Sequence, residues 1–234
     1  MKNQRFGDVN DFWKYGLLRA LASASGLRLG IVWFLTEDDG CVEEGSFDYL
    51  DQPERYRAFD PGLFDKLSRA KAGVKRRVIL GRRWRLLPPD TVFSAETLTD
   101  IGACMRRSWW WGFWNDTKNC PLVFLDPDAG LDFDGAPEYG ARGSARYAYW
   151  DEISDQPFQG RSIIVSEPVP PERREARIED LRAEISYREW PVEARFLGTP
   201  GALFMVAALP EHAPRLMAGL DAFEATWLGS ERPH

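Results

Sequence analysis

Three short strand-like runs constrain what this chain can become. They are Leu29-Gly30-Ile31-Val32-Trp33-Phe34-Leu35, Pro121-Leu122-Val123-Phe124-Leu125 and Ser162-Ile163-Ile164-Val165-Ser166. None alternates apolar with polar residues, so each reads as a strand buried on both faces, as in a parallel sheet covered by helices. The first run ends on Thr36-Glu37-Asp38-Asp39-Gly40 and the second on Asp126-Pro127-Asp128-Ala129-Gly130. Residues 192–197 and 202–209, parted by Gly198-Thr199-Pro200-Gly201, predict an antiparallel hairpin. Helices are expected from Asn10 or Asp11 to about Ala24, with Gly26 as the stop, and over 61–72, 95–114, 171–187 and 212–228. A short strand is expected at 91–94, the stretch 73–90 is ambiguous, and 131–146 reads as a long connection rich in Gly, Asp and Ala. With no internal repeat, residues 1–234 are expected to form a single α/β domain. Its sheet would be doubly wound and mostly parallel, with the antiparallel hairpin at the carboxyl end.

Other residue types narrow the chemistry. Cys41, Cys104 and Cys120 form no C-x-x-C pair, which argues against a disulfide framework and a zinc site. The histidines are His212 and His234 alone, too few for a His-rich metal site and poor material for a His-based triad. No metal ligands are assigned. The absence of an apolar run of bilayer length argues against a helical membrane span, and the first residues lack the apolar core of a secretory signal. A cytoplasmic location is the expectation.

Ligands of open α/β sheets bind beyond the carboxyl ends of the strands, where this chain places its acidic turns. A carboxylate held at the end of a strand can accept hydrogen bonds from an amine or a ribose with little reorganisation. Asp126, Pro127 and Asp128 are therefore the candidate catalytic residues, beside the plainer reading in which Asp126 caps a turn that Pro127 sets. In the amino-terminal stretch, Lys14 and Tyr15 would face the same crevice if their helix packs beside the first strand. A solvated lysine on a capped surface helix is the plainer alternative.

The stretch Gly7-Asp8-x-x-Asp11-x-x-Lys14-Tyr15-x-x-Leu18-x-x-Leu21 resembles the amino-terminal signature of bacterial enzymes that methylate an adenine amino group of large-subunit ribosomal RNA. Phe34-Leu35-Thr36 and Asp126-Pro127-Asp128-Ala129 fall where that family has a strand with a Thr-containing loop and a strand ending Asp-Pro-Pro-Tyr. The order of elements is likewise typical of the class I methyltransferase (Rossmann-like) fold. The resemblance implies S-adenosylmethionine as cofactor, with Lys14, Tyr15, Thr36 and Glu37 lining its side of the site and Asp126, Pro127 and Asp128 orienting the methyl acceptor. The chain departs from the family at Tyr15, where the signature has histidine, and at Asp128 and Ala129, where it has proline and tyrosine. The adenine target therefore does not carry over. The chain is also similar to uncharacterised bacterial proteins with a Phe-Leu-Asp-Pro-Asp-x-Gly segment.

Net charge is −6, yet between Lys66 and Arg85 there are nine Lys or Arg and no Asp or Glu. Such asymmetry suits a phosphate-binding surface and makes nucleic acid a candidate partner. Trp109-Trp110-Trp111-Gly112-Phe113-Trp114, just after Arg106 and Arg107, could stack bases or pack on the sheet. Two other functions stay open. Glu37, Asp38, Asp39, Asp126, Asp128 and Asp132 could gather Mg²⁺ or Mn²⁺ for phosphodiester hydrolysis, or the chain could be a non-catalytic binding module on a methyltransferase-like scaffold.

Overall fold

A computed structural model of the chain describes residues 3–36, 45–71, 77–94, 96–100, 102–154 and 160–229. The chain divides into two compact units. Leu27–Glu37 and Asp90–Ala213 build the first; Lys2–Gly26, Asp38–Pro89 and Pro214–His234 build the second.

The first unit holds the sheet, with strands β1 (Leu29–Trp33), β2 (Val92–Ser94), β3 (Leu122–Asp126), β4 (Ser162–Glu167), β5 (Glu193–Gly198) and β6 (Leu203–Ala208). Their spatial order is β2-β1-β3-β4-β6-β5. The first four in that order are mutually parallel, and β6 runs antiparallel to both of its neighbours. This is the expected mixed α/β sheet, with the carboxyl-end hairpin supplying the reversed strand. Every residue of β1, β3, β4 and β6 is buried, as the lack of polar alternation requires. On one face Val32, Val123, Leu125, Ile163, Val165 and Met205 form a continuous core. Against it pack Trp110 and Phe113 of α5 (Ala103–Thr117), Ile153 of α6 (Trp150–Ser154) and Leu181 of α7 (Arg174–Tyr187).

Helix α5 begins at Ala103, whereas the sequence predicts a start near 95. Thr97 makes a parallel bridge to Leu35, and the Leu98 N–H bonds the Leu35 carbonyl at 2.8 Å, so this part of the chain extends the sheet before the helix starts. Arg106, Trp110, Phe113 and Thr117 then form its buried face at helical spacing. Trp109 lies 5.3 Å from the Phe34 ring and Trp110 5.1 Å from that of Phe113, so these tryptophans pack the core. Trp111 is half-exposed.

The second unit contains α1 (Val9–Ser25), α2 (Pro53–Tyr56), α3 (Pro61–Leu67), α4 (Leu80–Arg83) and α8 (Ala213–Phe223), the last followed by a π-helical turn, Glu224–Leu228. The cap of α1 is Asp8, two or three residues before the predicted start. Its carboxylate takes the Asp11 N–H at 2.9 Å, and Gly26 ends the helix at φ 66°. Within this unit Trp227 stacks between Phe59 and Phe223, at 5.3 and 5.0 Å. The ambiguous stretch contributes α4, which keeps Leu80 buried and leaves Arg82 and Arg83 exposed.

Candidate functional site

From β1 the chain moves outward to β2, then returns past β1 to lay β3 on its other side. Connections therefore leave in opposite directions at the β1–β3 boundary. This is the topological switch point, where open α/β sheets leave a crevice beyond the strand ends. Parallel pairing sets Trp33 against Asp126, so the segments after both strands emerge at the same edge. There the Thr36 hydroxyl donates to the Asp128 carboxylate at 3.1 Å. Asp126 is buried as the last residue of β3, and Pro127 is buried beside it. The structure thus brings together Thr36, Asp126, Pro127 and Asp128. Glu37, Asp38 and Asp39 lie outside the described residues.

Beyond Asp128 the turn is clamped from β4. Gly130 adopts φ +83°, a conformation that favours glycine. A Cβ there would also overlap the Glu167 carboxylate. Glu167 ends β4 and accepts the Leu131 N–H at 2.8 Å, while Arg177 donates to Glu167 at 2.9 Å and to the Leu131 carbonyl at 2.8 Å. Burial pushes the Glu167 carboxyl up to about 7, against the pull of the Arg177 charge and the Leu131 N–H. The sequence offered one signal for Glu167: like the first two apolar runs, the third ends on acid.

The connection after β3 is ordered by a second buried pair. Arg106 of α5 makes two bonds to Glu152, at 2.7 and 2.8 Å, and donates to the carbonyls of Ser144 and Tyr147 at 2.7 Å each. Its guanidinium lies over the Tyr149 and Tyr139 rings at 4.6 and 5.1 Å. Asp100 adds bonds from the N–H groups of Gly143 and Ala145, at 2.7 and 2.9 Å. Arg106 therefore fastens the loop to α5. In the sequence Arg106 stands among basic and aromatic residues, and pattern alone does not separate a buried guanidinium from an exposed one.

In the second unit Lys14 and Tyr15 are buried in α1. The Lys14 ammonium pairs with Asp11 at 3.2 Å, the Gly7 N–H donates to Asp11 at 2.9 Å, and the Tyr49 hydroxyl donates to the Gly7 carbonyl at 2.9 Å. Much of the amino-terminal signature thus holds itself together. Burial, then the Asp11 charge, pushes the Asp8 carboxyl from an ordinary value of 3.8 up to about 7. With the folded value raised, the proton stabilises the fold fully only below about pH 4, and that contribution is lost as pH rises toward 7. Asp8→Asn, which retains a capping oxygen, is expected to gain stability relative to the wild type across that interval. Paired thermal melts from pH 4 to pH 8 check this; a constant difference between the two proteins contradicts it.

Of the basic segment, Arg69, Arg77, Arg82, Arg83 and Arg85 are exposed, and Val78, Leu80 and Leu86 are buried beneath them. Residues 72–76 lie outside the described part. Among the described residues no three His, Cys, Asp or Glu are gathered where they could hold a metal ion. A serine–histidine pair that sequence reading passed over, Ser162 Oγ to His212 Nδ1 at 2.9 Å, sits buried at the amino end of β4, and the same hydroxyl accepts the Leu209 N–H at 3.0 Å. It closes the strand end. No helix among the described residues is long and apolar enough to cross a membrane. No protein-family model matches this chain, and no curated protein matches it.

Proposed function

We propose that this chain is an S-adenosylmethionine-dependent methyltransferase of class I, Rossmann-like architecture, acting on an amine or oxygen of a nucleic acid. The observation that carries the reading is the Thr36–Asp128 bond at the β1–β3 switch point, with Asp126 fixed beside it at the end of β3. The sheet adds support, because its reversed strand lies between the last parallel strand and an edge strand, as in class I methyltransferases. The residues fit the cofactor's chemistry: ribose hydroxyls and an ammonium need acceptors, and the switch point presents two carboxylates and a hydroxyl. When bound, the cofactor supplies an electrophilic methyl group. Asp126 accepts a hydrogen bond from the acceptor group, the Pro127 carbonyl lies beside it, and Asp128, braced by Thr36, orients the substrate. Catalysis by this chain's residues is then mainly positioning. The exposed arginines between Lys66 and Arg85 supply phosphate contacts.

Thermal shift with S-adenosylmethionine tests the reading. A ligand at a hundred times its dissociation constant stabilises the native state by about 2.7 kcal/mol. Stabilisation by Mn²⁺ alone, or by neither, goes against the proposal. Asp126→Asn is expected to lower methyl transfer by roughly 10²–10³-fold with the fold retained, the scale of losing one preorganised polar contact to a reacting group. Binding to nucleic acid is expected to weaken as salt rises, and salt-independent binding would remove the arginines from the interface.

A further inference from the structure

In the first unit, a cavity of about 530 Å³ opens between the segment after β3, α6 and α7. That volume suits a small molecule. The segment contributes Asp132, Phe133 and Asp134, α6 contributes Trp150, and one face of α7 contributes Arg177, Asp180, Leu181 and Glu184. Arg188, just past α7, completes the charged wall.

The two arginines already have their charge answered. Arg177 is engaged by Glu167 and the Leu131 carbonyl and lies 5.5 Å over the Phe133 ring. Arg188 donates to Asp151 at 2.9 Å and to Glu184 at 3.1 Å and lies 5.7 Å over Trp150. Asp132 accepts the Trp150 N–H at 2.7 Å, which spends one N–H on a full negative charge. Asp134 and Asp180 line the same cavity and are exposed, with no ion pair or hydrogen bond among the described residues. The balance of the lining is therefore negative, in a concavity where field lines concentrate. Phe133 is 52% exposed and presents ring surface to a cation, while Ala183, also exposed, offers apolar surface to a short stem. An anion gains little here, since both guanidinium groups would have to abandon carboxylates.

We infer that this cavity binds a small organic cation, an ammonium or guanidinium group on a short aliphatic stem, held by Asp132, Asp134 and Asp180 against Phe133. The inference stands apart from methyl transfer and needs no cofactor.

Isothermal titration of the full chain with agmatine tests it, with succinate as an anion of similar length. Agmatine is expected to bind saturably at one site, and Asp134→Asn/Asp180→Asn to weaken it about tenfold, roughly 1.4 kcal/mol. Both side chains are exposed, so the variant should fold, and its unliganded melting temperature checks this. Glu175→Gln/Glu179→Gln removes the same charge from exposed α7 positions outside the cavity lining and is expected to leave affinity within twofold. Absence of saturable agmatine binding, equal weakening in both double variants, or tighter binding of succinate would each overturn the inference.

Discussion

Arg106→Met is expected to cost about 3–5 kcal/mol of unfolding free energy, the scale seen when one partner of a buried ion pair is removed. The guanidinium is 1% exposed and its partner Glu152 4%. Methionine fills much of the volume but leaves the Glu152 carboxylate without its cation, although the Tyr149 N–H still reaches it at 3.1 Å. The Ser144 and Tyr147 carbonyls lose their guanidinium donors as well. Against a domain stability of roughly 5–15 kcal/mol, this is a large fraction. Two companions separate charge from geometry. Arg106→Lys keeps the charge but loses the planar fork that reaches a carboxylate and two carbonyls together, so it should recover only part of the loss. Arg106→Met/Glu152→Leu removes both charges and should be more stable than Arg106→Met alone. Urea unfolding of the set decides the matter. A loss below about 1 kcal/mol in Arg106→Met would mean that the loop is held by Asp100 and packing instead.

What could be read from the sequence follows the range of the physics involved. The strands β1, β3 and β4 announce themselves because burial on both faces leaves local runs such as Ile31-Val32-Trp33 and Ile163-Ile164-Val165. The hairpin does so because Gly198 to Gly201 separate two runs of strand length. Parallel strands put their carboxyl ends together, so Thr36 and Asp126 are expected at one edge of the sheet, whereas no local pattern encodes the bond from Thr36 to Asp128. The roles of Arg106, Glu167 and Arg177 were not anticipated. A buried charge is defined by a partner far along the chain, 46 residues in the pair Arg106–Glu152, and no periodic pattern encodes that distance. The start of α5 was placed too early for a related reason: the bridge from Thr97 to Leu35 overrides local helix preference. The tryptophans of α5 show the same limit, since composition does not state which face of a helix is covered.

Gly130→Ala is expected to destabilise the protein by about 3–5 kcal/mol, more than the 1–2 kcal/mol that a left-handed backbone usually costs a residue with a Cβ. The added carbon would overlap the Glu167 carboxylate. A carboxylate at the tip of a side chain normally yields, but this one is buried and held by Arg177 and the Leu131 N–H. Moving it opens a buried ion pair, and keeping it displaces the turn that carries Asp128. Glu167→Ala removes the obstacle while exposing Arg177 to loss of its partner. The double variant Gly130→Ala/Glu167→Ala should therefore cost clearly less than the sum of the single changes. Strict additivity would show that only backbone strain acts at Gly130 and that Glu167 does not brace the turn. The comparison also divides the Asp-Pro-Asp-Ala-Gly segment between its two tasks. Gly130 acts through stability, and Gly130→Ala is expected to lower the melting temperature whether or not ligand is present. Asp126→Asn, which keeps the size of the side chain, is expected to shift the melting temperature less than Gly130→Ala and to lose methyl transfer, because its assigned work is on the substrate.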